Sequence, residues 1–150
     1  MNDVLEVQRH EPAGFELPIP SGWELVRDQE GCALIAVEPP RAEPHLRASI
    51  VVTLELLEDD DDWEERSLIT LRQSLNRLRV IDDEPVEIGG APARRVLSHY
   101  VHRVYGGVNL EQWLVRRDGR GYVVSCSTAA LEYDDLWDLM TAVGEGLRLS

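Results

Sequence analysis

Residues 57–66 read LEDDDDWEER and place Glu58, Asp59, Asp60, Asp61, Asp62, Glu64 and Glu65 within eight consecutive positions. Carboxylates at this density could bind a divalent cation, recognise a basic partner, or start a helix. A calcium loop of the EF-hand kind needs acids at alternate positions, a Gly at the sixth and a Glu at the twelfth. Here the acids are consecutive and no Gly interrupts them. A magnesium site shares its carboxylates with substrate phosphates, and the chain has no phosphate-binding loop. Acids at a helix N-terminus satisfy its free N–H groups and its dipole. Asp61 with Glu64, or Asp62 with Glu65, has capping-box spacing, with Asp in place of Ser or Thr. The helix start accounts for the run best. A docking patch for a basic partner, centred on Asp59 and Asp60, is the second reading, and no metal or cofactor is expected.

Four histidines are available for proton transfer: His10, His45, His99 and His102. His99 and His102 are three apart in a strand-like run, so they face opposite ways and cannot chelate one ion. If Gly106-Gly107 forms a two-residue hairpin turn, Tyr100 faces Trp113 and His102 faces Glu111. Val96, Val115, Tyr122 and Val124 then share that face. A His102–Glu111 pair beside Tyr100 could line a small-molecule or hydrolytic pocket, although such pairs serve more often as structural cross-strand contacts. Ser125, Cys126 and Ser127 lack the G-x-S-x-G frame of a nucleophile elbow. Cys32 and Cys126 have no spacing suited to zinc and sit in apolar runs as core thiols. GGAPA at 89–93 has neither the glycine spacing nor the following helix of a dinucleotide site. The four Trp are expected in the core, with Trp23, beside the Ser21-Gly22 turn, the one expected to be partly exposed.

These residues must be positioned by about four strands, a helix, about four strands and a helix. GFELPIPSGWELV reads as two short strands around a turn, GCALIAVEPP as a buried strand stopped by prolines, and RASIVVTLELL as a β-branched strand. Leu68, Leu71, Leu75 and Leu78 recur at helical spacing, predicting a helix over 61–78. VIDDEPVEI, APARRVLSHYVHRVY, VNLEQWLVRR and YVVSCST predict strands. Tyr133, Leu136, Trp137, Met140, Val143 and Leu147 mark a last helix over 131–146. The order defines an α+β domain with a mostly antiparallel sheet packed by two main helices.

Composition narrows the function classes. A chain of 150 residues suits one domain, with residues 1–13 expected to be loosely ordered. The formal charge is −13, which argues against nucleic-acid binding and adsorption to anionic membranes, and favours a partner with a basic surface. All 15 basic residues are Arg, read as a codon-composition bias. No secretion signal or stretch of about 18 apolar residues is visible, so a soluble cytoplasmic monomer or homodimer is expected.

FELPIPSGWELV resembles the opening hairpin of PsbP-like domains, with its F-x-x-P-x-G-W phrase. GGAPARRVLSHY, LEQWLVRRDGRGYVVSCST and YDDLWDLMTAVGEGLRL are similar to their second half, so the resemblance covers residues 14–149. The group includes photosystem II extrinsic proteins, a Ran-binding nuclear import factor, actinobacterial Lpq-type lipoproteins and chaperone-like proteins that hold secretion effectors. This chain is most similar to the actinobacterial members, without the lipoproteins' signal segment and N-terminal lipidated Cys. The resemblance implies an α/β/α sandwich and protein binding rather than catalysis. It assigns structural roles to Phe15, Pro20, Gly22 and Trp23 and transfers no active site.

Overall fold

The computed structural model describes residues 4–58 and 62–150. Strands β1 (Leu5–His10), β2 (Phe15–Pro20), β3 (Glu24–Gln29), β4 (Cys32–Val37) and β5 (Ser49–Leu56) precede helix α1 (Trp63–Ser74). Strands β6 (Arg79–Ile88), β7 (Ala91–His102), β8 (Gly106–Arg117) and β9 (Arg120–Ala129) follow. A 3₁₀ turn (Ala130–Glu132), helix α2 (Tyr133–Glu145) and the short β10 (Arg148–Leu149) complete the chain. Seven strands form an antiparallel sheet in the order β3-β4-β5-β9-β8-β7-β6, and β1-β2-β10 form a second sheet. The α+β class and the sandwich architecture are as expected. Residues 5–10 are not loose: β1 pairs with β2 along its length, and His10 and Ala13 are buried.

Period-two alternation builds the main core. Phe15, Leu17 and Ile19 point inward from β2. They meet Leu34, Ala36, Ile50, Val52, Trp113, Val115, Tyr122 and Val124 from the large sheet, and Met140, Val143 and Leu147 from α2 and its end. Burying an aliphatic side chain of this size stabilises by roughly 1.5–3 kcal/mol. Gly144 lets α2 come down on the Trp113 ring, since a Cβ there would lie 2.3 Å from Trp113 Cδ2.

The opposite face carries a smaller cluster of Trp63, Leu68, Val96 and Leu114 beneath α1. This helix is shorter than its leucine spacing predicts. Leu75 caps its C-terminus in an extended conformation, and Leu71, Leu75 and Leu78 are only half-buried. Its main anchor is Trp63, set against Gly121, where a Cβ would lie 2.7 Å from the indole, and under the Arg116 guanidinium. Asp62 takes the N-cap position but makes no side-chain capping bond. Glu64 and Glu65 turn instead to Arg116 and Arg94, so the Asp62–Glu65 capping box does not form. The stripe of α2 is closer to expectation, although Trp137 is 45% exposed on its flank.

The β7–β8 hairpin departs from the expected register. Its loop is Arg103–Tyr105, and Gly106, at φ +78°, opens β8 in the left-handed conformation that glycine adopts at no steric cost. Tyr100 therefore pairs with Val108 and His102 with Gly106, while Glu111 pairs with Leu97 and Trp113 with Arg95. Alternate residues of a strand face opposite sides. Tyr100, His102 and Val96 thus lie on the α1 face; Glu111, Trp113, Val115, Tyr122 and Val124 lie on the α2 face.

Adding one methyl at the helix–sheet contact tests this packing. Gly144→Ala should lower stability by about 1–3 kcal/mol, read as a lower urea midpoint with unchanged slope. An unchanged midpoint would mean that α2 is free to lift off Trp113.

Candidate functional site

Four clusters collect the polar side chains that could carry function. The first lies between β8 and the start of α2. Glu111 is 1% exposed, and its Oε2 accepts from Arg95 Nε at 2.6 Å and pairs with Arg95 Nη2 at 2.5 Å. Arg95 reaches on to Asp82 at 2.9 Å and Glu84 at 3.3 Å. Burial pushes the Glu111 carboxyl above its ordinary range, and the Arg95 charge pulls the other way. Burial also pushes up the adjacent Cys126 thiol, so it is not the thiolate a nucleophile requires. The Tyr133 hydroxyl is close enough to both Glu111 and Arg95 to be coupled to their charge.

The second cluster lies where β1 meets β3. His10 is stacked on Phe15, with ring centroids 5.4 Å apart. Its Nδ1 accepts from the Ala13 N–H at 3.1 Å, which leaves the proton on Nε2 to be donated to Asp28 Oδ1 at 2.7 Å. A cleft of about 400 Å³ beside it is also lined by Cys32. Both imidazole nitrogens are engaged, so His10 has no lone pair left to activate that thiol or bind a metal. Among the described residues no group of three His, Cys, Asp or Glu side chains is placed to hold a metal ion.

The third cluster clamps the loop between β4 and β5 to the 3₁₀ turn. Glu132 accepts from Arg41 Nη1 at 2.8 Å and Nη2 at 3.1 Å, and its Oε1 lies 2.6 Å from His45 Nε2. The Arg41 hydrogen bond, then His45, holds the Glu132 carboxyl below its usual range.

The fourth is the open half of the α1 face. A cross-strand row runs Val26, Ile35, Val51, Ser125, Gln112, Val96 over six adjacent strands. Helix α1 buries Val96 at one end; Ile35, Val51, Ser125 and Gln112 are half-buried and Val26 is exposed. Between this row and α1 runs a groove of about 520 Å³, lined by Trp63, Ser67, Thr70, Leu71, Thr53, Val123 and their neighbours. Its charged residues, Arg66 and Glu55, pair at 3.0 Å.

The candidates read from the sequence are dispersed. Asp59 and Asp60 lie outside the described residues, as does Asp61. Trp23 is half-buried against the edge of the main core. The His102–Glu111 pair does not form, because the hairpin register puts the two on opposite faces. Instead, His102 Nδ1 accepts from the N–H groups of Val104 at 3.0 Å and Tyr105 at 3.2 Å, and Glu111 belongs to Arg95. Two structural histidine roles, at His10 and His45, had no local sequence signal, since their partners lie 18 and 87 residues away.

Comparison with known proteins gives fold without family. No protein-family model and no curated protein matches the chain. Solved structures do. Cyanobacterial PsbP from Synechocystis aligns over 100% of this chain and 95% of its own, with a TM-score of 0.75 at 14% identity. LpqN of Mycobacterium tuberculosis, described as involved in cell envelope biogenesis, aligns over 98% and 91%, with 0.69 at 18%. A Pseudomonas aeruginosa protein of unknown function, described as a putative regulator, aligns over 91% of each chain, with 0.61 at 19%. The chain has a PsbP-like fold.

Acid should dissolve the ion pairs in a defined window. Glu64, Asp83 and Glu132 are each held below their ordinary values, first by hydrogen bonds from Arg116, Arg94 and Arg41 respectively. A carboxyl with a depressed folded pKa contributes stability that is complete above its unfolded value and is lost as pH falls through the folded one. Thermal midpoints should therefore hold down to about pH 5 and drop below about pH 4. Glu132→Gln should flatten part of that drop. An unchanged acid limb in this variant would remove Glu132 from the account.

Proposed function

We propose that the chain is a non-enzymatic binding module, an adaptor or chaperone-like protein that grips another protein on the open half of its α1 face. The observation that carries this reading is the uncharged row Val26, Ile35, Val51, Ser125, Gln112, which α1 leaves uncovered. Five strands at about 4.8 Å spacing give a track of roughly 20 Å, matched by apolar and hydroxyl-bearing side chains rather than by a converging set of titratable groups. The side chains that a catalytic reading would use support it further: His10, His45, His102, Glu111 and Cys126 are each held in structural contacts or buried. The formal charge of −13 suits a client with basic flanks. A holding role for an exported client is the finer form of the proposal; LpqN, which shares the fold, is described as involved in cell envelope biogenesis.

Aspartates placed on the track test it. Ile35→Asp and Val51→Asp, checked by circular dichroism for an intact fold, should lose a client that the wild-type chain retains through crosslinking and stringent washing in its native host. Recovery of the same client by folded variants would refute the assignment of this face.

A further inference from the structure

One end of the molecule does not share its acidic character. The side chains of Arg77, Arg79 and Arg103 are exposed and make no ion pair or hydrogen bond among the described residues. They are neighbours in space: the Val101 N–H donates to Asn76 O at 3.0 Å, Arg79 pairs with His99, and Arg103 follows directly on β7. Arg77 adopts φ +56°, a conformation strained by the Cβ of any L-residue and that glycine would take freely.

Between these arginines stands an apolar tip. Val104 is 77% exposed and Tyr105 45%. The loop that carries them is pre-formed by the two N–H bonds to His102 Nδ1 and by the His102 ring packed 5.0 Å from Tyr105. Gly107 abuts Ala130, which brings Leu131, 98% exposed, to the same end.

We propose that this end docks on an anionic lipid bilayer, with Val104, Tyr105 and Leu131 entering the interface and Arg77, Arg79 and Arg103 meeting lipid phosphates. The chemistry is that of peripheral membrane contact. Exposed aliphatic and aromatic side chains partition into the headgroup boundary, and arginines bind phosphate in a fork. Each basic residue near an anionic surface adds to the attraction. The whole-chain charge of −13 does not cancel this, because charges more than about 8 Å away are screened at physiological ionic strength. Among carboxylates near this end, Asp82 and Glu132 are occupied by Arg95 and Arg41, and Asp83 by Arg94. Asp134 and Asp135, in the first turn of α2, are the groups that oppose docking. The proposal does not rest on the adaptor reading, since its surface is the end of the sheet rather than its face.

Vesicle co-sedimentation decides it, with purified chain and no client. Vesicles of equal phosphatidylcholine and phosphatidylglycerol in 0.1 M NaCl should carry the protein down, pure phosphatidylcholine should not, and 1 M NaCl should release it. Val104→Ser with Tyr105→Ser should weaken binding at least fivefold. Arg77→Gly, Arg79→Gln and Arg103→Gln together should abolish it with a melting temperature no lower than wild type, because glycine relieves the strained position. Arg117→Gln, on the opposite turn, should leave binding unchanged. Failure of the wild-type chain to sediment with the anionic vesicles overturns the proposal. So does equal binding by either multiple variant, or an equal loss in Arg117→Gln.

Discussion

The register of β7 on β8 is the constraint from which the rest follows. A slip by one residue sends every side chain of a strand to the other face. In the observed register Arg94 faces α1 and reaches Glu65 and Asp83, while Arg95 faces α2 and reaches Glu111. Trp113 then stands under Gly144, and Val96 and Leu114 under α1. One odd step of β7 on a β8 held by β9 would turn Arg94 into the main core and Val96 away from α1. The three-residue loop, closed by Gly106 and tied by His102, sets this choice where the chain reverses.

That choice is also where the sequence was hardest to read. Two adjacent glycines, Gly106 and Gly107, suit a two-residue turn, and nothing local shows that His102 accepts the backbone N–H groups of Val104 and Tyr105, two and three residues further on. A two-residue turn would set Glu111 opposite His102, where the two would line a pocket; the three-residue loop sets them on opposite faces. Strand existence was legible where apolar residues alternate between Gly and Pro stops, as in Phe15–Pro20, or where β-branched residues cluster, as in Ser49–Leu56. Helix α1 was legible as an element but not in extent, since Leu75 and Leu78 keep the helical spacing after the chain has turned into a connection. Ile35, Val51, Ser125 and Gln112 could not have been read as one surface: their adjacency exists only through pairing across the sheet.

Charge is distributed rather than averaged. Arg94 and Arg116, from β7 and β8, bind Glu65 and Glu64 at the start of α1, so part of the acidic excess doubles as the means of fastening that helix to the sheet. A buried pair such as Arg95–Glu111 adds specificity more than stability, because desolvation offsets much of the attraction. Its value here is directional: it holds Arg95 on the α2 side of β7, while Arg94 on the other side reaches α1.

The two edges of the large sheet are unlike. On β6, Pro85 has no N–H to offer, a bulge interrupts the pairing between Val80 and Asp82, and Asp82, Asp83, Glu84 and Glu87 repel a similar strand. On β3 all six residues are exposed and none is proline. A sheet with a single receptive margin can be lengthened once and no further. Two such molecules meeting margin to margin would exhaust each other and stop at a pair. Along the large sheet this sets an upper bound of two on growth by strand addition, and longer growth in that direction would first require β6 to be rebuilt.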